Sequence, residues 1–185
     1  MATDSPGSAG QTPPLALHVG CGERHVPGFV HIDIRPLPRL DYVHPIDDLP
    51  MFADDSVDLI YNCHVLEHFG RQETQRPLRE WFRILKPGGV LRTAVPDLAA
   101  CFEVYRETGD LNLIHGLLYG RQDYFENTHF IGFDWAYLKG QLEQAGFAAV
   151  RRYDYRETVH KDHDDYSQAY LLGRLVSLNV EATKP

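Results

Sequence analysis

The chain has 185 residues, 43% of them apolar, and 18 Lys and Arg against 26 Asp and Glu give a net charge of −8. That is the balance of a globular protein able to bury its own core, and its acidic excess argues against a broad nucleic-acid footprint or an anionic membrane surface. Cys21, Cys63 and Cys101 are scattered without a C-x-x-C pair, no apolar run approaches the ~20 residues of a membrane span, and the N-terminus lacks the charged and apolar regions of a secretory signal. The expectation is a cytoplasmic chain with one domain over residues 15–185. Residues 1–14, small, polar and rich in Pro and Gly, are expected to form a disordered tail, because they cannot bury enough apolar area to offset chain entropy.

From Leu15 onward, short apolar strands alternate with helical patterns. Residues 15–19, 29–34, 42–44 and 57–61 read as four strands, the third of them weak. Leu78, Trp81, Phe82 and Leu85 then recur at i, i+3, i+4 and i+7, one stripe of an amphipathic helix. Lys86-Pro87-Gly88-Gly89 is expected to end that helix with a left-handed glycine cap. A fifth strand follows at 90–95, and Asp97 is placed to cap a helix running through Phe102 and Tyr105. Helices over 111–119 and 135–145 and strands near 149–155 and 176–182 complete the pattern. Strands alternating with helices build an α/β sheet with parallel strands, and such sheets bind ligands beyond the carboxyl ends of their strands.

The residues just past each strand are therefore the candidates for chemistry. Gly20-Cys21-Gly22 lets backbone approach a ligand without Cβ interference, or simply makes a tight turn. It is not a dinucleotide fingerprint: Asp33 follows Gly22 by eleven residues, against the ~20 expected. Asp33 can hold ribose hydroxyls from a strand end or serve as a turn aspartate. Asp47 and Asp48 can accept from an exocyclic amine or form a solvated Asx turn. His64-Val-Leu-Glu67-His68 has the H-x-x-E-H spacing of an inverted zinc-protease motif. It follows a strand at once and has no identifiable third ligand, so a zinc hydrolase using His64, Glu67 and His68 is the lesser alternative.

Taken in order, Leu17-His-Val-Gly-Cys-Gly22, Val30-His-Ile-Asp33, Asp48-Leu-Pro50, Ser56 to His68 and Leu78 to Gly89 resemble the class I S-adenosylmethionine-dependent methyltransferases. The sequence looks closest to a short bacterial, methyltransferase type 11-like branch. That branch carries Gly-x-Gln-Asp-Tyr, then Asn-x-His and Gly-Phe, which read here as Gly120-Arg-Gln122-Asp123-Tyr124, Asn127-Thr-His129 and Gly132-Phe133. The resemblance implies a Rossmann-like sandwich, its sheet mostly parallel with an antiparallel last strand. The chain departs from the family in two places. His18 stands where many members have an acidic residue, and 23–28 leave almost no room for the first helix, which is expected to be truncated.

By resemblance, S-adenosylmethionine is the cofactor, contacted by Gly20, Cys21, Gly22, Asp33, Ile34, Asp47, Asp48, Leu49, Asn62 and His64. The catalytic candidates are His64, Glu67, His68 and His129, with histidine suited to removing an acceptor proton near neutral pH. Gln122, Asp123 and Tyr124, on a long polar segment over 120–132, read as substrate-binding residues of a lid. The acceptor expected is a small molecule or a sugar, methylated on oxygen or nitrogen, with no nucleic-acid or membrane partner and no metal. A catalytically silent binding module on the same fold is the other alternative.

Overall fold

The structure, a computed structural model, describes residues 13–185; the expected tail over 1–14 lies outside them but for its last two residues. The first five strands are β1 (Ala16–Val19), β2 (Val30–Asp33), β3 (Tyr42–Val43), β4 (Val57–Cys63) and β5 (Leu85–Pro96). Helices α1 (Gln75–Ile84), α2 (Leu98–Thr108), α3 (Asn112–Tyr119) and α4 (Trp135–Gln144) form where helical patterns were expected. The remaining strands are β6 (Ala148–Arg152), β7 (Tyr170–Leu171), β8 (Arg174–Leu175) and β9 (Ser177–Thr183). Seven strands form one sheet in the order β3-β2-β1-β4-β5-β9-β6, in which β1 to β5 pair in parallel and β9 runs antiparallel to both neighbours. Strand order reverses at β1, where β2 lies on one side and β4 on the other. A doubly wound sheet opens its ligand crevice there.

Successive side chains of a strand point to opposite faces, so the register assigns every residue of this sheet a side. Leu17, Ile32, Ile60, Leu91, Val180 and Ala182 share one face, where they pack with Leu78, Trp81 and Ile84 of α1 and Leu138 and Leu142 of α4. Trp81 is fully buried, and its indole N–H donates to the Ile46 carbonyl at 2.8 Å. This closes the burial of a large ring that needs a partner for its one polar atom.

The opposite face carries His18, His31, Tyr61, Arg92, Asn179 and Glu181. A parallel sheet covered by helices on both sides reads as continuous apolar runs; here the strands alternate. With only a short connection between β1 and β2, no helix covers this face there. The chain between β6 and β9 returns over it: His160 stacks on Tyr61 at 3.8 Å, and Asp165 accepts the Tyr61 hydroxyl. Nothing in the sequence pattern marked this segment. Its β7–β8 hairpin turns through Leu172 and Gly173, both at positive φ, and packs beside α2 and α3.

One helix end departs from expectation. Helix α1 stops at Ile84, its cap residue Leu85 is extended, and Lys86-Pro87-Gly88-Gly89 belongs to β5. Gly88 does adopt positive φ, but as a strand residue whose N–H donates to Lys184. Pairing with the end of β9 satisfies this stretch better than a helical cap would. Asp97 caps α2 as expected, accepting from Ala99 and Ala100, although that helix buries Cys101 and Val104 and leaves Phe102 and Tyr105 exposed.

Candidate active site

A cavity of about 1110 Å³ opens beyond the carboxyl ends of β1, β2 and β4. Its volume exceeds what a single drug-sized ligand needs, so a donor and an acceptor fit together. Its floor is the β1 turn. Gly20 has φ +66°, and a Cβ there would stand 2.5 Å from Val65 Cγ2; Gly22 has φ +58°. Bare backbone at both positions lets a ligand lie against the chain. The Gly22 N–H donates to Asp33 Oδ2 at 2.8 Å, while Asp33 Oδ1 accepts from the Arg35 N–H at 3.0 Å. The carboxylate is thereby fixed at the end of β2, and Oδ2, with one donor against it, keeps acceptor capacity, while Oδ1 also meets Arg35 Nε at 3.4 Å.

The structure brings Gly20, Cys21, Gly22, Asp33, Ile34, Asp47 and His64 to this cavity. Ile34 is half exposed, an apolar wall beside the carboxylate. Three expected cofactor contacts stand elsewhere. Asp48 is exposed outside the cavity lining, and Leu49 is fully buried in the core with its N–H on Glu80. Asn62 is also fully buried, its side-chain oxygen accepting from Thr93. Of the expected stretch Asp47, Asp48 and Leu49, Asp47 alone lines the cavity, beside Pro45 and Ile46.

The chain after β4 and the segment over 120–132 gather His64, His68 and His129 around Glu67. His64 sits at φ +55° directly after β4, its Nδ1 3.6 Å from Glu67 Oε1 and its Nε2 3.3 Å from Ser177 Oγ. His129 Nε2 stands 3.9 Å from the same carboxylate oxygen, and the rings of His68 and His129 meet edge to face at 4.8 Å. Glu67 is 1% exposed, and neither of its oxygens has a hydrogen-bond partner. Burial pushes its pKa up to about 8 and holds His64 down to about 3 and His129 to about 4, so all three are neutral at pH 7. Residues 66–68 form a short 3-10 turn, so His64 and His68 do not share an α-helical face. The inverted zinc-protease arrangement is therefore not built.

The segment over 120–132 lines the cavity through Asp123, Tyr124 and His129. Gln122 does not; it is exposed and its side chain donates to Tyr119. The segment is fastened at its far end, where Phe130 N–H donates to the Glu67 carbonyl and His129 N–H to that of Tyr119. Sequence reasoning missed Arg35, Cys63, Asp165 and Tyr166, which also line the cavity. The last two arrive from the β6–β9 connection, more than a hundred residues from Tyr61, and only the β1–β4 pairing that leaves His18 beside Tyr61 brings them in. His18 is a neutral imidazole against Tyr61, its pKa lowered to about 3 by burial and neighbouring histidines.

This sheet order and cavity define the class I S-adenosylmethionine-dependent methyltransferase fold. Residues 17–93 match the family model described as a methyltransferase domain. A Mycolicibacterium smegmatis protein named "Probable S-adenosylmethionine-dependent methyltransferase" is 31% identical over 153 residues; the match covers 72% of this chain and 57% of that protein. The chain thus spans little more than half the length of this relative. Two solved structures share the fold. A methyltransferase from Methanosarcina mazei gives a TM-score of 0.58 at 18% identity, covering 94% of this chain and 93% of its own. The Burkholderia thailandensis 1,6-didemethyltoxoflavin-N1-methyltransferase, solved with its substrate and S-adenosylhomocysteine, gives 0.57 at 17%, covering 93% and 71%. Among the described residues no helix is long and apolar enough to cross a membrane.

Proposed function

We propose that the protein transfers a methyl group from S-adenosylmethionine to a small-molecule or sugar acceptor, on oxygen or nitrogen. The observation that carries this reading is the meeting in one cavity of two unlike sets of groups: a glycine turn with a fixed carboxylate, and a buried cluster of histidines around Glu67. When bound, S-adenosylmethionine supplies an electrophilic methyl group on a sulfonium. Gly20 and Gly22 lie against its methionine portion, Asp33 accepts from the ribose hydroxyls, and Ile34, Ile46 and Asp47 flank the adenine. With a neutral His18 in place of an acidic residue, Asp165 is the carboxylate on the same sheet face that serves the methionine ammonium.

The chemistry asked of the protein is alignment, exclusion of water and removal of the acceptor's proton. Glu67, His68 and His129 hold the acceptor, and the segment over 120–132 covers it. His64 receives the proton, because its Nδ1 faces the cluster and its other nitrogen is positioned by Ser177. Three free cysteines suit a reducing compartment, and we assign the cytoplasm.

Calorimetric titration with S-adenosylhomocysteine tests the donor half, and saturable one-to-one binding is expected. No binding would return the chain to a silent module. For the acceptor half, His64→Asn is the informative change, since asparagine tolerates positive φ while lacking the base. Turnover should fall about 10²–10⁴-fold with cofactor affinity kept; unchanged turnover would remove His64 from the reaction.

A further inference from the structure

Glu67, His68 and His129 present three potential ligand atoms, all within 4.8 Å of one another. Their hydrogen bonds decide what can occupy the space between. His68 Nδ1 lies 3.1 Å from the Thr128 carbonyl oxygen and His129 Nδ1 2.9 Å from that of Leu117. A carbonyl only accepts, so each Nδ1 carries the ring hydrogen and each Nε2 keeps a bare lone pair. Between them stands the Glu67 carboxyl, sealed from solvent and without a donor on either oxygen. Two bare imidazole lone pairs and a carboxyl that makes no hydrogen bond thus face one another. Buried groups of that kind are costly unless something positive, or a donor, comes between them.

We propose that Glu67, His68 and His129 bind a divalent first-row transition cation, of which zinc is the type. Two imidazoles and a carboxylate suit zinc and its neighbours, whereas calcium and magnesium call for oxygen sets. Holding each imidazole by its other nitrogen on a backbone carbonyl is the usual way a metal-binding histidine is oriented. Tetrahedral ligation with bonds of about 2.1 Å puts ligand atoms about 3.4 Å apart. The cluster must therefore draw in by roughly an ångström, and the Glu67 carboxyl, bonded to nothing, is the group free to move. The tie from Phe130 N–H to the Glu67 carbonyl keeps His129 in range. His64 lies outside the triad and keeps its separate place beside Ser177.

Three protein ligands leave a coordination position open, and the open side is the cavity. An oxygen or nitrogen of the acceptor would complete the sphere there, which would explain how the protein holds an acceptor with so few donors of its own. This use of the ion rests on the methyl-transfer reading; the ion's binding does not.

The test uses the full chain, stripped with a chelator and dialysed. Zn²⁺ is titrated by calorimetry and Co²⁺ by its visible absorption, with wild type, Glu67→Gln and His129→Ala compared. One equivalent should bind, the tetrahedral Co²⁺ bands should appear, and both variants should lose at least tenfold in affinity. Glu67→Gln keeps the shape of the side chain and removes a buried acid, so its melting temperature without metal should not fall. Equal stoichiometry and affinity in wild type and Glu67→Gln would put the ion on other histidines and overturn the proposal, as would absence of saturable binding. S-adenosylhomocysteine affinity measured on the same samples separates the two readings: its loss with metal binding intact removes methyl transfer and leaves the metal site.

Discussion

The Arg35 guanidinium lies 4.7 Å over the ring centroid of Tyr124, while its Nε reaches Asp33 Oδ1 at 3.4 Å. One side chain thereby joins the carboxylate at the end of β2 to the segment over 120–132. A cation over an aromatic face contributes about 0.5–1 kcal/mol where solvent has access, as it does here with Tyr124 39% exposed. That adds a small attraction between the two without locking the segment.

Asp33→Ala should weaken S-adenosylhomocysteine binding by about ten- to a hundred-fold, equivalent to losing a charge-assisted hydrogen bond of roughly 1.5–3 kcal/mol. The same change frees the Gly22 and Arg35 N–H groups, so the melting temperature should drop by a few degrees while the fold persists. Calorimetry on the variant checks it, and wild-type affinity would dismiss Asp33 as the ribose acceptor.

Gly20→Ala meets two separate obstacles, a positive φ and a Val65 methyl at 2.5 Å. Each obstacle acts on a different part of the chain. The backbone part costs roughly 1–3 kcal/mol and stays whatever surrounds it. Adding Val65→Ala should relieve only the steric part. The double variant should therefore recover some, but not all, of the stability lost by Gly20→Ala in chemical denaturation; full recovery would show that the backbone there is unstrained.

Trp81→Phe removes the indole donor from the Ile46 carbonyl and leaves that acceptor buried. About 1–3 kcal/mol of stability should go with it. Because Ile46 lines the cavity, cofactor affinity should also fall severalfold although Trp81 itself lies in the core. Loss of stability with unchanged affinity would separate the wall from the helix behind it.

His160 is 2% exposed with both ring nitrogens unpaired, and burial lowers its pKa from 6.5 to about 4. Asp165 opposes that shift, while Arg92 and His163 add to it; Tyr61 and Tyr153 pack on the ring. A base whose pKa is depressed by folding takes up protons in the unfolded chain first. Its contribution is intact above pH 6.5 and is lost progressively as pH falls toward 4. His160→Phe keeps the stacking and removes the titration, so its stability should decline less than wild type between those values. Denaturation midpoints at pH 7.5 and 4.5 read the difference, and equal declines would refute it.

The sequence by itself determined what is local. Apolar runs at Leu17–Val19 and Val30–Ile32, the helical stripe through Leu78 and Trp81, the Asp97 cap and the Gly20–Gly22 turn are each set by neighbours a few residues away. The parallel sheet and the strand-end location of the site followed from their order. Tertiary structure alone decided what depends on distant partners. The Lys86–Gly89 stretch became strand because Lys184 pairs with it, and Leu49, expected as a cofactor contact, lies in the core with its N–H on Glu80 of α1. Likewise, the sheet face with His18, His31, Tyr61 and Glu181 was not legible in strands that read as apolar runs. Over it runs the β6–β9 connection, which carries His160 and Asp165 to the face that a first helix would otherwise cover. Such a contact has no periodicity for a sequence to display, since it joins irregular backbone to a sheet across more than a hundred residues.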